Sequence, residues 1–248
     1  MKLKKSNIIL ICLAVVYFTL IAVNYVIMIN KAGSARIKGN GNLETSEITV
    51  SAFEKINCVD KAEVRFYVGE AYRAVVTIDE NLKEYIDILT KDNTLDIRCK
   101  ERYSISPEKF TVDVYCPVLT GVSMSGSGSF TGIDKIIATT FESNVTGSGK
   151  VEADIECSSY SAKILGSGNI KVFGNSDDAN ISITGSGNFN GNELNTKNAT
   201  VAITGSGNVN IYVEDNLTAK TTGSGNINYS GDPTVDSNIS GSGRIRKR

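Results

Sequence analysis

The chain has 248 residues, and its 26 Lys and Arg residues nearly balance its 27 Asp and Glu residues. This balance lacks the basic excess typical of nucleic-acid-binding proteins, so no nucleic-acid partner is expected. The sequence contains no His, which removes the commonest acid/base catalyst at neutral pH and the commonest metal ligand. We therefore expect no catalytic residues, no metal site and no cofactor.

The N-terminus is typical of a membrane anchor. A short basic head precedes an uncharged segment that runs from Ile8 to Ile29. A helix needs about 20 apolar residues to cross the hydrocarbon core, and the segment also exceeds the roughly 7–15 apolar residues of a cleavable signal peptide. We predict a signal anchor or transmembrane helix over residues 1–30, a linker over residues 31–36 and export of the remaining chain. Cleavage at the small residues 32–34 is the alternative.

A Gly-Ser-Gly tripeptide recurs seven times in the second half of the chain, at intervals of 18 to 21 residues. Its first glycines are Gly126, Gly147, Gly166, Gly185, Gly205, Gly223 and Gly241. The positions two, four and six residues before this glycine, and four residues after it, are mostly apolar, whereas the positions between them are mostly polar. Such alternation is typical of β-strands with one buried face. Each repeat is therefore predicted to carry one strand on either side of a Gly-Ser-Gly corner.

Repeats of this length indicate a solenoid. A two-strand unit cannot bury its apolar face alone, but stacked copies form a continuous core. We predict an all-β fold, a parallel β-helix or solenoid, whose regular repeats cover residues 119–248 with equivalent strands about 4.8 Å apart. Crossovers between parallel strands are right-handed in about 98% of cases, which favours a right-handed coil.

Asparagine follows the corner in four consecutive repeats, at Asn169, Asn188, Asn208 and Asn226. Glycine reaches positive φ at little cost, and asparagine tolerates left-handed backbone geometry. In register, the four amides are expected to form a ladder in which each side chain hydrogen-bonds to the next. We interpret the ladder as a structural feature, with a binding surface as the alternative.

Residues 37–118 lack the corner repeat, apart from Gly39-Asn-Gly-Asn42, which resembles a degenerate copy. Four segments read as strands: 64–68, 74–78, 94–98 and 110–114. Between the second and third of them, the apolar residues of 81–89 recur at helical spacing, which predicts one short helix. We interpret 37–118 as irregular first turns that seal one end of the solenoid and form one domain with residues 119–248.

This combination resembles the family of auto-transporter adhesins with a head GIN domain, over roughly residues 37–248. The resemblance rests on Gly39-Asn-Gly-Asn42, Phe53-Glu-Lys-Ile56, Val64-Arg-Phe-Tyr-Val-Gly69, Asn81-Leu82, Thr94-Leu-Asp-Ile97 and the Gly-Ser-Gly-Asn ladder that closes at Gly241-Ser-Gly-Arg-Ile-Arg-Lys-Arg. It implies an exported envelope protein of Gram-negative bacteria with a right-handed β-helical fold, and it brings no catalytic residues. Together with the N-terminal segment, it implies a single-pass protein of the inner membrane with its domain in the periplasm.

Four of the five cysteines lie beyond the predicted anchor, at Cys58, Cys99, Cys116 and Cys157. Without His or a Cys-x-x-Cys pair, a zinc site is not expected. Alternation places the last three of these cysteines on the apolar face, so we interpret them as small buried hydrophobic residues. A disulfide between Cys99 and Cys116 is the alternative.

Glu152, Asp154 and Glu156 form an acidic cluster on outward positions of one strand. Glu152 aligns with Lys171 one coil later, which predicts a cross-strand ion pair rather than a calcium site. A polysaccharide lyase would need acidic and basic groups clustered on one outer face, so this cluster gives that enzyme class little support.

These features predict a non-catalytic binding or display module in the bacterial cell envelope. The membrane is the expected partner of the N-terminal helix, and a glycan, an envelope polymer or a protein is the expected partner of the domain. The alternative is a structural or sensory envelope protein that acts through a membrane-protein partner.

Overall fold

The computed structural model describes residues 36–101 and 103–248, which form 20 β-strands and one 3₁₀ helix. The predicted anchor over residues 1–30, with its ends at Ile8 and Ile29, lies outside the described residues, as do residues 31–35 of the linker. Within the described ranges, no helix has the length and apolar character that crossing a membrane requires.

The strands are short at the N-terminal end and long in the regular repeats. The first nine are β1 (Arg36–Lys38), β2 (Leu43–Thr49), β3 (Lys55–Cys58), β4 (Glu63–Val68), β5 (Arg73–Asp79), β6 (Ile86–Lys91), β7 (Thr94–Cys99), β8 (Ser104–Ser106) and β9 (Phe110–Cys116), with the 3₁₀ helix (Glu80–Tyr85) between β5 and β6. The others are β10 (Gly121–Gly126), β11 (Ser129–Gly132), β12 (Ile136–Ile137), β13 (Thr140–Gly147), β14 (Lys150–Gly166), β15 (Asn169–Gly185), β16 (Asn188–Gly205), β17 (Asn208–Gly223), β18 (Asn226–Ser230), β19 (Thr234–Gly241) and β20 (Arg244–Lys247).

Successive coils of the regular part pair in parallel and in register. Ile164, Ile183 and Ile203 lie opposite one another in β14, β15 and β16. The first glycines of all seven corners are aligned in the same way. The predicted all-β stack of parallel coils, a β-solenoid, is therefore confirmed.

The residues predicted to face inward form the core. Val145, Ile164, Ile183 and Ile203, each two residues before a corner, are buried. Thr221 occupies the same position in a later coil, and its hydroxyl donates a hydrogen bond to the Gly225 carbonyl oxygen at 3.2 Å. A polar side chain is tolerated at this core position because its hydrogen bond is satisfied.

The corners need glycine for two reasons. Gly166 has a φ of +117°, and a Cβ there would lie 2.7 Å from the Gly147 carbonyl oxygen of the preceding coil. The Ser167 N–H donates to that same oxygen at 2.8 Å. Any larger residue would combine backbone strain with loss of this close stacking.

At the N-terminal end, the order of the coils in space departs from their order in the chain. The coil of β3 and β4 pairs on one side with β10 and β11, which follow it by more than fifty residues. On its other side it pairs with β7 and β9. Residues 94–116 therefore lie beyond residues 55–68, and the chain then returns to begin the regular coils on the opposite side.

Antiparallel strands cover this end of the stack. β5 pairs antiparallel with β9, β2 with β5, and β6 with β7. The short helix predicted over 81–89 is wrong in its second half: a 3₁₀ helix ends at Tyr85, and strand β6 starts at Ile86. Pairing with β7 takes up the backbone hydrogen bonds of this segment, and tertiary context overrides its helical spacing.

Asp79 holds three segments of the N-terminal end together. Its fully buried carboxylate accepts hydrogen bonds from the N–H of Gly41 at 2.8 Å and of Glu108 at 2.9 Å. A Cβ on Gly39 would lie 2.3 Å from the same carboxylate, so the Gly39-Asn-Gly-Asn42 loop closes tightly around it. Burial raises the pKa of the carboxyl, but the backbone N–H donors outweigh burial, and the pKa lies below its ordinary value.

Candidate binding surface on the side of the solenoid

The four corner asparagines lie in one row along the solenoid. The Nδ2 of Asn188 donates to Oδ1 of Asn169 at 3.0 Å, Asn208 donates to Asn188 at 3.0 Å, and Asn226 donates to Asn208 at 3.1 Å. Each amide thus makes a hydrogen bond with the amide of the neighbouring coil.

Two further polar rows run along the solenoid, and the sequence analysis missed both. One joins Asn216, Asn198 and Asp178 through hydrogen bonds of 2.8 and 3.0 Å. In the other row, the Nδ2 of Asn228 donates to Oδ1 of Asn210 at 2.9 Å, and the Nε of Arg246 donates to Oδ1 of Asn228 at 2.8 Å. Asparagines at 18- to 20-residue spacing were the available signal, since that spacing is the repeat itself.

A groove with a cavity volume of about 730 Å³ runs along the side of the solenoid, away from the Gly-Ser-Gly corners. We call it the lateral groove and define it by the residues that line it: Val118, Ile137, Ala138, Thr139, Glu156, Cys157, Ser158, Asn175, Ser176, Asp177, Asn195, Lys197 and Glu214. Apart from Val118, which lies at one end, these residues come from five successive coils.

Small side chains occupy the inward-facing position at the floor of the groove. Ala138, Cys157 and Ser176 form the floor, and Ser176 is buried with its hydroxyl donating to the Asp178 carbonyl oxygen at 2.8 Å. Two residues earlier, the same coils hold Ile136, Ile155 and Gly174, which are in register with one another. The floor lies between two rows of exposed residues, which form the rims of the groove.

The rims carry amides and charged groups. On one rim, Glu156, Asn175 and Asn195 are in register, and the Nδ2 of Asn195 donates to Oδ1 of Asn175 at 3.2 Å. On the other rim, the Lys197 ammonium lies 2.7 Å from the Asp177 carboxylate, and this hydrogen bond raises the pKa of Lys197. The rims therefore offer both hydrogen-bond donors and hydrogen-bond acceptors along the groove.

The acidic cluster is ion-paired. The Lys171 Nζ lies 2.7 Å from Glu152 Oε1, and the two residues are in register, as predicted. Lys135 lies 3.7 Å from Asp154 and 3.6 Å from Glu156. Among the described residues, no group of three His, Cys, Asp or Glu side chains is arranged to hold a metal ion.

The four described cysteines are free, so the alternative disulfide between Cys99 and Cys116 is wrong. The thiol of Cys99 donates to the Tyr103 carbonyl oxygen at 3.5 Å, and that of Cys116 donates to the Val118 carbonyl oxygen at 3.3 Å. Burial raises the pKa of Cys58 to about 11 and that of Cys116 to about 12. These thiols are protonated at neutral pH and behave as small hydrophobic residues.

The fold and this surface define a β-solenoid that presents polar rows and a groove along its side. The chain belongs to the family described as "Putative auto-transporter adhesin, head GIN domain", whose sequence profile matches residues 52–233. The family predicted from the Gly-Ser-Gly repeat and from the motifs of residues 39–97 is therefore confirmed.

Solved structures from three bacterial species resemble this one. A putative lipid binding protein from Parabacteroides distasonis is 31% identical, with a TM-score of 0.75 over 86% of this chain and 100% of that chain. A putative adhesin from Bacteroides fragilis is 22% identical, with a TM-score of 0.81 over the same shares, and shows the fold. A putative adhesin from Parabacteroides merdae is 25% identical, with a TM-score of 0.68 over 87% of this chain and 100% of that chain. No curated protein matches the chain.

Proposed function

We propose that the protein is a non-catalytic, adhesin-like binding module of the bacterial cell envelope. Residues 1–30 would hold it as a single-pass protein of the inner membrane, and a right-handed solenoid would project into the periplasm. Its partner would be a glycan, an envelope polymer or a protein, and it would need no cofactor.

The observation that carries this proposal is the lateral groove on a rigid scaffold. β15 and β16 are each paired with a coil on both sides over most of their length, so backbone pairing holds the floor of the groove and the rim at Asn175 and Asn195. Pre-formed sites of this kind bind with little loss of conformational entropy. The family to which the chain belongs, and its likeness to the putative adhesin from Parabacteroides merdae, agree with a binding role.

The described titratable groups favour binding over catalysis. Catalytic residues need a pKa near the working pH and a neighbour that exchanges a proton with them. The pKa values of Cys58 and Cys116 lie far above that range, and Glu152 is paired with Lys171. A calorimetric screen of envelope polysaccharides that showed turnover, with product released, would contradict the proposal.

One feature favours the alternative, a structural or sensory role through a membrane-protein partner. Val118 and Ile137 line one end of the groove, and their side chains are 43% and 65% exposed. Exposed apolar side chains of this size are common at protein interfaces.

The test uses the full chain in detergent micelles on an array of glycans and envelope polymers, alongside cross-linking in intact cells. Saturable binding to a polymer supports the proposal. Absence of any such binding, together with one cross-linked membrane protein, supports the alternative instead.

The anchor is tested separately. The full chain should remain with membranes after a carbonate wash and keep its N-terminal Met-Lys-Leu-Lys sequence. A mature N-terminus near Ala35 would show that the segment is a cleaved signal peptide.

A further inference from the structure

We propose that the lateral groove binds a neutral glycan, extended along the axis of the solenoid with about one sugar unit per coil. This inference rests on the proposed function and gives it a site and a ligand class. Four properties of the groove support it: its length, its closed backbone, its charge and its hydrogen-bonding groups.

The groove is long and narrow enough for a single extended polymer. Its lining runs from Ile137 to Glu214 across five coils, a span of about 19 Å at the 4.8 Å spacing of neighbouring strands. That spacing is close to the advance of one pyranose unit in an extended β-linked polysaccharide. A peptide strand advances about 3.3 Å per residue and falls out of step with the coils.

The backbone around the groove offers a peptide no strand to extend. Strands β14, β15 and β16 have a paired coil on both sides at Glu156, Asn175 and Asn195, so most of the backbone N–H and C=O groups along this rim are used within the solenoid. Peptides that bind by strand addition need a free sheet edge. The ligand must therefore be recognised by side chains.

The charge of the lining disfavours polyanions. Glu156, Asp177 and Glu214 contribute three carboxylates, and Lys197 contributes one ammonium group, a net charge of −2. Asp177 already neutralises that ammonium group at 2.7 Å. Lys135, beside the groove, lies 3.6 Å from Glu156, which leaves Glu214 as the carboxylate of the lining with no ion pair among the described residues. The remaining negative charge disfavours a nucleic acid, a phosphate-rich polymer or an anionic lipid headgroup.

The hydrogen-bonding groups recur coil by coil and have capacity to spare. Asn175 and Asn195 each use one atom in their mutual hydrogen bond, and within the described residues the Nδ2 of Asn175 and the Oδ1 of Asn195 have no other side-chain partner. An amide presents two donors and one acceptor group, which suits sugar hydroxyls that both donate and accept. A lipid acyl chain would find mainly polar side chains beyond the apolar end at Val118 and Ile137.

The experiment measures binding of neutral oligosaccharides, glucose oligomers and N-acetylglucosamine oligomers of two to six units, to the full chain in detergent. Affinity should rise with length and level off at about four or five units, one per coil. The variant Asn175→Ala/Asn195→Ala should weaken binding about tenfold, because hydrogen bonds to the ligand are lost.

The matched control is Asn169→Ala/Asn188→Ala. It removes an amide pair hydrogen-bonded at 3.0 Å from the corner ladder of the same two coils, together with the oxygen that accepts from Asn208. It should leave affinity unchanged, and both variants should melt cooperatively near the wild-type temperature.

The contrary outcomes separate this inference from the proposed function. Oligosaccharide binding that both variants keep, or that both lose equally, would place the site elsewhere and overturn the groove inference while leaving the binding role intact. Tighter binding of heparin, or of vesicles with anionic lipid, than of any neutral oligomer would overturn the ligand class. Failure of the wild-type chain to bind any glycan or envelope polymer would overturn this inference, and failure to bind a protein as well would also overturn the proposed function.

Discussion

The regular coils and the N-terminal end bury their apolar residues in different ways. In the regular coils, each repeat rests on the previous one, and order in the chain is order in space. At the N-terminal end, residues 94–116 lie beyond residues 55–68, and antiparallel strands cover the outer coil. The regular part is therefore stabilised by one contact pattern repeated many times, whereas the end depends on contacts that occur once.

This difference has consequences for substitutions. A change in a regular coil affects stacking with the coils above and below, because stability in repeat structures comes largely from nearest-neighbour interfaces. A change at the N-terminal end should loosen the segments that meet at one place, such as those held by Asp79.

The largest effect is expected from a charge in the core of the regular coils. Ile183→Asp or Ile203→Asp should cost more than about 4 kcal/mol of unfolding free energy, through lost apolar burial and an unpaired buried charge. Ser182→Asp and Ala202→Asp, on the outward face, should cost less than about 0.5 kcal/mol. Denaturant unfolding followed by circular dichroism measures both, and equal losses would show that the alternation is out of register.

A smaller effect separates two glycines with positive φ. Gly185→Ala places a Cβ 2.5 Å from the Gly166 carbonyl oxygen at a φ of +119°, and should cost about 3 kcal/mol. Gly41 also has a positive φ, of +82°, but a Cβ there meets no atom within 4 Å. Gly41→Ala should therefore lower the free energy of unfolding only through the strain of a positive φ, by about 1 kcal/mol. Thermal melts of the two variants decide this, and similar losses would mean that coil stacking adds nothing at the corner.

Asp79→Asn should destabilise the N-terminal end by about 2 kcal/mol at pH 7, because hydrogen bonds to a charged acceptor are stronger than those to an amide. Hydrogen exchange should rise in residues 36–49 and 104–110 and stay at the wild-type level in the coils beyond Gly147. Exchange that increased evenly over all coils would contradict the distinction between the two regions.

The same carboxylate predicts a dependence on pH. Its pKa in the folded protein lies below that in the unfolded chain, so its stabilisation is complete above the unfolded value of about 3.9. It is lost as the pH falls through the folded pKa. Unfolding free energies measured between pH 5 and pH 2 should fall more steeply for the wild type than for Asp79→Asn, and parallel curves would exclude Asp79 as the cause.

The smallest effect is expected from the acidic cluster. Replacing Glu152 and Glu156 with Gln, and Asp154 with Asn, should change stability by less than about 1 kcal/mol, the usual value of exposed ion pairs. Calcium should not raise the melting temperature of either the wild type or the triple variant. A calcium-dependent rise that the variant lost would reveal a metal site, since ligand binding to the native state stabilises it.

Much of the regular part could be predicted from the sequence because every repeat has the same pattern of inward and outward positions. Alignment on Gly-Ser-Gly placed Ile164, Ile183 and Ile203 inward and put the four corner asparagines in one row, and the structure shows both arrangements. A period-two pattern has only two registers, and burial of one face selects between them.

The groove could not be predicted in this way. The groove lies about halfway between one Gly-Ser-Gly corner and the next, in the part of the repeat whose length varies. There the register between neighbouring coils shifts between Gly191 and Asn195, and again between Thr196 and Asn198. Alignment from the first corner is therefore lost before it reaches Lys197 and Glu214. Which residues of neighbouring coils lie side by side around the groove depends on these shifts, and the pattern of polar and apolar residues does not show them.

By itself, the sequence determined the strand alternation, the parallel stack and the Asn169–Asn226 ladder, because local periodicity and nearest-neighbour stacking suffice for a repeat. Tertiary structure alone decided the reversed coil order at the N-terminal end, the strand that replaces the second half of the predicted helix, and the role of Asp79. Each of these depends on pairing between segments far apart in the chain, such as β3 with β10 or Asp79 with Gly41 and Glu108. Non-local pairing of this kind leaves no period in the sequence, since each contact is made once.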